Sequence, residues 1–490
     1  MYNVLNIQVS GGNALHSYLD ETTKYVNNLY NAVLFRARQV MTFVQKPKEQ
    51  WTENEKFVHD EMAKTLPLMD EKFAMPTKRR FVLSYRFLDA LFKNSGNADY
   101  FCEKISRQTA QSAIKSVVRD MKSFREAAKA YKRNPQAFTG KPKPPHYRKK
   151  GGNHTAIFSN QDCVIYPKEN GKNELKFPRT KERLFLGDAP INGRLKQVTV
   201  KPTHGIFIVS IVLEGENKAA ETQEPQTPSR ICAIDLGVNN LAAITNNIGE
   251  ECLLFKGGVI KSINQLYNKK MAKIQSAQTT GTADQFVMTD ETRRLCLRRN
   301  NCVNDFLNKV AKRIIDWCVK NYIDTIVVGS NKMQKQSANM GKKNNQEFVQ
   351  IPFFKFCQNL EYRAERVGIA LIRQEESYTS KASFVHMDYI PTYGVDDEKS
   401  CFSGSRVKRG LYRVAKGEYI NADLNASANI LRKAFPAAFA GQFAKPDFRK
   451  VRVVKRPDYE KTAAMRKSQL KEKKECSKSK LRRLAAKQAA

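Results

Sequence analysis

The sequence predicts a multidomain α+β protein organised around one α/β sheet, with a helical region and a small β-rich region ahead of it. Three observations predict this. Short apolar runs at 231–234, 241–245, 252–255, 325–329 and 369–372 have the length and composition of buried strands. Stretches with helical periodicity, at 259–277, 290–321 and 352–367, stand between and after them. Upstream, residues 11–135 repeat apolar positions at helical spacing, and residues 155–215 carry short apolar runs between turn residues.

Composition narrows the function. The chain has 490 residues, 41% of them hydrophobic, enough for several packed domains. Lys and Arg number 85 against 48 Asp and Glu, a net charge of +37. Such an excess implies a polyanionic partner, most simply nucleic acid, with a membrane surface as the weaker alternative. The sequence has no run of 18 apolar residues, and Met1-Tyr2-Asn3-Val4-Leu5 has no basic and apolar leader pattern, so a cytoplasmic protein is expected. Ten cysteines are scattered without a C-x-x-C pair; Cys232, Cys318 and Cys357 lie in apolar runs and read as core thiols.

Residues 3–9 alternate weakly and fit one strand. Leu15, Leu19, Val26, Leu29 and Val33 mark an amphipathic helix whose end is basic at Arg36 and Arg38. A polar stretch containing Trp51 follows, then the basic cluster Lys78-Arg79-Arg80, a helix over Phe81–Phe92, and a strong helix over Gln108–Tyr131. Prolines 135, 142, 144 and 145 and the cluster Arg148-Lys149-Lys150 mark a boundary. The runs at 156–158, 163–166, 184–186, 197–200 and 206–213 suggest a small barrel or sandwich, a form that suits nucleic acid. Residues 215–229 read as a polar linker.

The chemistry centres on two aspartates. Ile231-Cys232-Ala233-Ile234 ends in Asp235, with Gly237 two residues on. Asp235 then stands at the carboxyl end of a strand, where ligand sites of open α/β sheets gather. Asp423 opens the helical run Leu424-Asn425-Ala426-Ser427-Ala428-Asn429-Ile430-Leu431, where the helix dipole favours a carboxylate. Each aspartate alone also fits an ordinary turn or helix start. Two such acids, distant in sequence, can converge on a hard divalent cation. The order of three strands, helices, strand, helix, strand and the Asp423 helix is that of an RNase H-like sheet. In that fold the third acid usually ends the fourth strand, but Gly329-Ser330-Asn331 holds none. Glu375-Glu376 follows the fifth strand instead. Strands lie about 4.8 Å apart, so a glutamate displaced by one strand still reaches. Periodicity alone does not choose between the two glutamates.

These stretches together resemble the RuvC nuclease domain of transposon-encoded TnpB proteins and the compact type V CRISPR effectors. The matching residues are Ala233-Ile234-Asp235-Leu236-Gly237-Val238-Asn239, Glu376-Ser377-Tyr378-Thr379-Ser380-Lys381, and Asn421-Ala422-Asp423-Leu424-Asn425 with Ala428-Asn429-Ile430. Gly404 to Tyr412, with Arg406 and Arg409, and Pro144-Pro145-His146-Tyr147 also match. The resemblance selects Glu376 as the third acid. It implies a wedge-like β-barrel at 1–10 and 137–228 and a helical recognition domain at 11–136. It further implies a RuvC-like nuclease at 229–376 and 421–440, and a target-loading insert at 377–420. The insert keeps only Cys401 and His386 of a usual four-ligand zinc set, so no zinc is expected.

The resemblance therefore implies an RNA-guided DNA endonuclease. Asp235, Glu376 and Asp423 would bind two Mg²⁺, a guide RNA would read the sequence of double-stranded target DNA, and the protein would read a short flanking motif. Arg406, Arg409, Lys78, Arg79, Arg80, Arg148 and Lys149 are the expected nucleic-acid contacts. The rivals are an RNA-guided repressor that does not cut and an unguided RNase H-like nuclease or recombinase. Residues 441–490 carry 17 Lys and Arg against 5 Asp and Glu and read as a basic disordered tail.

Overall fold

The computed structural model describes residues 2–69, 73–166, 173–187, 191, 193–215, 229–279, 286–330, 341–392, 401–408, 410–441 and 443–457. The chain divides into two units, residues 1–218 and 219–490.

In the first unit β1 (Tyr2–Val9) precedes the helices α1 (Leu15–Phe43), α2 (Glu53–Thr65), α3 (Tyr85–Asn94) and α4 (Arg107–Arg133). The strands β2 (Ala156–Ser159), β3 (Val164–Tyr166), β4 (Asn173–Lys176), β5 (Arg183–Gly187), β6 (Arg194–Thr203) and β7 (Ile206–Glu214) follow. They make two antiparallel sheets, β1-β7-β6-β2 and β3-β4-β5, in the stretch for which the sequence suggested a small barrel or sandwich. The long β6–β7 hairpin takes β1 along its whole length, Tyr2 opposite Glu214 and Val9 opposite Phe207. One buried cluster joins Leu29 and Ile114 of the helices to Phe158 and Val200 of the sheet. The helical and β-rich stretches, expected as separate domains, thus share a core.

Capping explains where the helices depart from expectation. The stretch around Trp51 contains α2 because Thr52 and Glu55 cap each other reciprocally. The helix expected from Phe81 starts at Tyr85, since the Ser84 hydroxyl accepts the Phe87 N–H at 3.2 Å. Arg36 does not extend a basic face: it is buried and makes two hydrogen bonds of 2.8 Å to Glu61.

The second unit holds β8 (Ile231–Leu236), β9 (Asn240–Asn246), β10 (Cys252–Lys256), α5 (Gly258–Thr279), α6 (Asp290–Lys320), β11 (Thr325–Gly329), α7 (Lys342–Val349), α8 (Phe353–Glu365) and β12 (Ala370–Gln374). After these come β13 (Ser405–Lys408), β14 (Leu411–Ala415), β15 (Glu418–Asn421), α9 (Ala422–Ala434) and β16 (Val451–Val454). The main sheet runs β12-β11-β8-β9-β10-β16. Strands β12, β11 and β8 are parallel, β9 is antiparallel to both neighbours, and β16 is parallel to β10.

Burial on both faces is why β8 and β11 read as unbroken apolar runs. Cys232 and Ile234 pack with α6 and α8, and the Cys232 and Cys318 sulfurs lie 3.8 Å apart as core thiols. On the other face Ile231, Ala233 and Val327 meet Ala428, Ile430 and Leu431 of α9. The stretch from residue 441, expected as a basic disordered tail, holds a strand, because Val451-Arg452-Val453-Val454 alternates well enough to pair with β10. Residues 458–490 lie outside the described residues, as do 393–400 of the insert. No helix among the described residues is long and apolar enough to cross a membrane.

Candidate active site

The sheet order builds the site. β12, β11 and β8 stand side by side, so residues just beyond their carboxyl ends share one edge. Asp235 is the penultimate residue of β8, Gly329 ends β11, and Glu376 follows β12 by two residues. β12 and β8 are two strand spacings apart, about 10 Å. Glu376 bridges that gap over Gly329: a Cβ on Gly329 would lie 2.6 Å from Glu376 Oε2 and 2.5 Å from Ile430 Cδ1. The place where the sequence lacks an acid is therefore the opening through which the neighbouring strand's acid passes.

Asp423 arrives from the helix that covers one face of the sheet. β15 runs directly into α9, and the Asn421 side chain caps the helix by accepting the Asp423 and Leu424 N–H groups at 3.0 and 3.2 Å. Asp423 accepts hydrogen bonds from Asn240 Nδ2 at 2.6 Å and from Arg406 at 3.1 Å. Asp235, Glu376 and Asp423 line one cleft of about 980 Å³, together with Arg406, Lys256 and Asn240. Burial first, then the Asp423 and Glu376 carboxylates, push the Asp235 pKa well up, with Arg406 opposing them.

A cation bound among the three carboxylates would relieve the part of this frustration that comes from Asp423 and Glu376. Three hard-oxygen donors suit Mg²⁺, and Asp235, Glu376 and Asp423 are the residues that would hold it. Among the described residues no group of three or more His, Cys, Asp or Glu is already drawn together as a metal site. Hence the donor chemistry fits the ion, while the final approach of the ligands would come with it.

Glu375 faces elsewhere. Its carboxylate accepts Lys433 Nζ at 2.6 Å and the Ser377 N–H at 2.7 Å. Burial would raise this carboxyl, but those hydrogen bonds hold it below the usual range. Asp388 is also occupied, tying the Ser383 and Ser403 amides together at 2.8 and 3.0 Å. Of the expected contacts, Arg406 joins the acidic cleft and Arg409 lies outside the described residues. Lys78, Arg79, Arg80, Arg148 and Lys149 are exposed on the first unit. Arg79 lines a groove there with Phe81, Phe124, Arg125, Lys129 and Lys132, and the Arg148 guanidinium lies 5.3 Å from the Tyr30 ring centroid.

Sequence reasoning missed the residues that hold the acids. Asn425 and Asn429, both fully buried, donate to the Ala382 carbonyl at 2.8 and 2.7 Å, and Asn425 accepts the Phe384 N–H at 3.0 Å. They pin the loop that follows Glu376 to α9. Ser427 donates to the Ala233 carbonyl at 2.8 Å, fixing α9 on β8. The available signal was the spacing: Asn421, Asn425 and Asn429 recur every four residues, an asparagine stripe on an alanine-rich helix. Gly404 has a similar hidden role, since a Cβ there would lie 2.5 Å from the buried Tyr412 ring.

Known proteins bear on the same residues. A family model described as a probable transposase (OrfB_IS605) matches residues 210–335, and one described as the Cas12f1-like TNB domain matches residues 353–430. The TnpB-like protein ORF457 of Acidianus two-tailed virus is 24% identical over 273 residues, 54% of this chain and 53% of that protein. The chain thus spans about half the length of this curated relative. Among solved structures, the chain is similar to that of a Cas12f1-sgRNA-target DNA complex, with 13% identity, 88% and 98% of the two chains covered and a TM-score of 0.30. It is also similar to the mini-RNA-guided endonuclease CRISPR-Cas_phi3, with 9% identity, 91% and 94% covered and a TM-score of 0.41.

Proposed function

We propose that this chain, which belongs to the family of TnpB proteins and type V CRISPR effectors, is an RNA-guided DNA endonuclease that cuts beside a short flanking motif. The second unit is read as its RuvC, RNase H-like nuclease, and the two sheets and helices of the first unit as its wedge and recognition parts. One observation carries the reading: Asp235, Glu376 and Asp423, drawn from two strand ends and a helix start, face a single cleft.

In this reading the chain's own residues divide the work. Asp235 and Glu376 are presented from the ends of two parallel strands that flank β11, and Asp423 is oriented by Asn240. Mg²⁺ held by the three would stabilise negative charge on the phosphate and ease deprotonation of the attacking water. Arg406, now on Asp423, is placed to turn to a strand phosphate when a cation takes over that carboxylate. Lys256 adds a second fixed positive charge on the cleft wall. Guide RNA would supply the sequence reading, and the net charge of +37 would supply backbone affinity.

The Arg406–Asp423 ion pair favours a second reading, an RNA-guided protein that binds without cutting, because a guanidinium there competes with a metal. One experiment separates them. The full chain with its copurified RNA is sequenced for a guide, then incubated with a matched duplex and Mg²⁺, beside Asp235→Asn. Cleavage by wild type alone supports the nuclease; RNA-dependent binding without cleavage supports the second reading; absence of any stable RNA contradicts both.

A further inference from the structure

A second cleft, of about 870 Å³, opens beside the acidic one and shares Asn239 and Lys256 with it. Its cations are Lys256, Lys261, Lys269, Lys455 and Arg456, against Glu347, which Lys261 pairs at 2.9 Å. Lys269, Lys455 and Arg456 have no ion-pair partner among the described residues. The cleft is therefore strongly positive along a wall made by α5 and the residues after β16.

The joint between the clefts is built stiffly. A bulge between Phe255 and Lys256 shifts the β9–β10 register so that Lys256 stands opposite Asn240. Bulges beside active sites re-aim side chains, and here Lys256 Nζ donates to Asn240 Oδ1 at 2.8 Å while Asn240 Nδ2 donates to Asp423. Gly257 locks the joint. Its N–H donates to the Asn239 carbonyl at 2.8 Å, and any Cβ there would lie 2.1 Å from the Val238 oxygen. A cation is thus fixed where the acidic cleft becomes the basic one.

We propose that this basic cleft is a subsite for the sugar–phosphate backbone of the polynucleotide strand being cut, on one side of the scissile phosphate, with Lys256 at the junction. The proposal rests on reading the acidic cleft as the cutting site, and it gives the strand a direction across the second unit: over the carboxylates, past Lys256, and along α5. Lys261 to Lys269 spans eight residues of helix, about 12 Å. At a rise of about 3.4 Å per nucleotide along one strand, that covers three or four phosphates. The lining carries cations and amides but no stacking ring, so the subsite reads charge and not base identity.

The test pairs a protein change with a substrate change. Full-length wild type and Lys269→Gln/Lys455→Gln, each with copurified RNA, cut a matched duplex in which single uncharged methylphosphonate linkages step away from the cut on either side. Both lysines are exposed, so the variant folds. We expect linkages within about four positions on one side to slow wild type three- to tenfold. The variant should be slow on the unmodified duplex by a similar factor and indifferent to those same linkages. Insensitivity of wild type at every position, or equal sensitivity of the variant, would overturn the subsite. If the full chain cuts nothing, the cutting reading fails by itself. The same oligonucleotides measured as single strands by equilibrium anisotropy then decide the subsite: linkage-dependent loss of affinity in wild type but not in the variant sustains it, and equal losses end it.

Discussion

Glu376 reaches its place in the acidic cleft across Gly329, whose missing side chain is the space the carboxylate crosses: a Cβ on Gly329 would lie 2.6 Å from Glu376 Oε2. Gly329→Ala should therefore displace Glu376 and press on Ile430. We expect a stability loss of about 1–3 kcal/mol from overpacking and a clear fall in cleavage rate. Denaturant melts with single-turnover assays check this; a fully active, equally stable Gly329→Ala would show that the glutamate takes another route.

Asn425→Ala removes the amide that accepts the Phe384 N–H and donates to Ala382. A buried donor left unsatisfied costs about 1–3 kcal/mol. Because the same loop leads back to Glu376, cleavage should fall more than the stability loss alone explains at a temperature where the variant is folded. Unchanged stability would mean that α9 does not hold the loop.

Asp235 makes the metal-free protein sensitive to pH in a specific direction. Its pKa is raised in the fold above the ordinary 3.8, so the folded protein holds its proton more tightly than the unfolded chain. Stability from this group is fully present below pH 3.8 and is lost as pH rises through the raised folded value. Asp235→Asn has no such loss. In chelator at pH 7 the variant should melt higher than wild type, and the difference should shrink on acidification. A variant that melts lower at pH 7 would contradict the frustration described for the cleft.

Metal removal should separate activity from folding. EDTA should stop cleavage, and excess Mg²⁺ should restore it, while the chain stays folded throughout. The insert at 377–420 has only Cys401 and His386 as nitrogen or sulfur zinc ligands, and His386 is hydrogen-bonded to Ser383 at 3.0 Å. Stoichiometric zinc in the purified protein, or unfolding on chelation, would contradict this.

The main sheet was legible because strands buried on both faces leave unbroken apolar runs, as at Ile231–Ile234 and Thr325–Gly329. Asp235 and Asp423 were legible because one closes an unbroken apolar run and the other opens a helical one. Strand β16 was not, since Val451–Val454 sits among charges that made the whole stretch look unpacked. Helix α2 announced itself only through its Thr52–Glu55 capping box. Lys256 and Asn240 were invisible for a different reason: they meet through a one-residue bulge, and register across a bulge is a tertiary fact. The choice between Glu375 and Glu376 had the same character, because it depends on where β12 ends and on Lys433 claiming the first of the two.

That choice is also where the account is most exposed. Single-turnover cleavage of a guide-matched duplex in Mg²⁺ should be compared for wild type, Glu375→Gln and Glu376→Gln. We expect Glu376→Gln to retain fold and RNA binding while losing more than the about 10–100-fold that a supporting contact to a metal ligand costs. Glu375→Gln should stay within a few-fold of wild type, its loss confined to the Lys433 contact. Full activity in Glu376→Gln, or a larger loss in Glu375→Gln, would contradict the assignment of Asp235, Glu376 and Asp423 as the site.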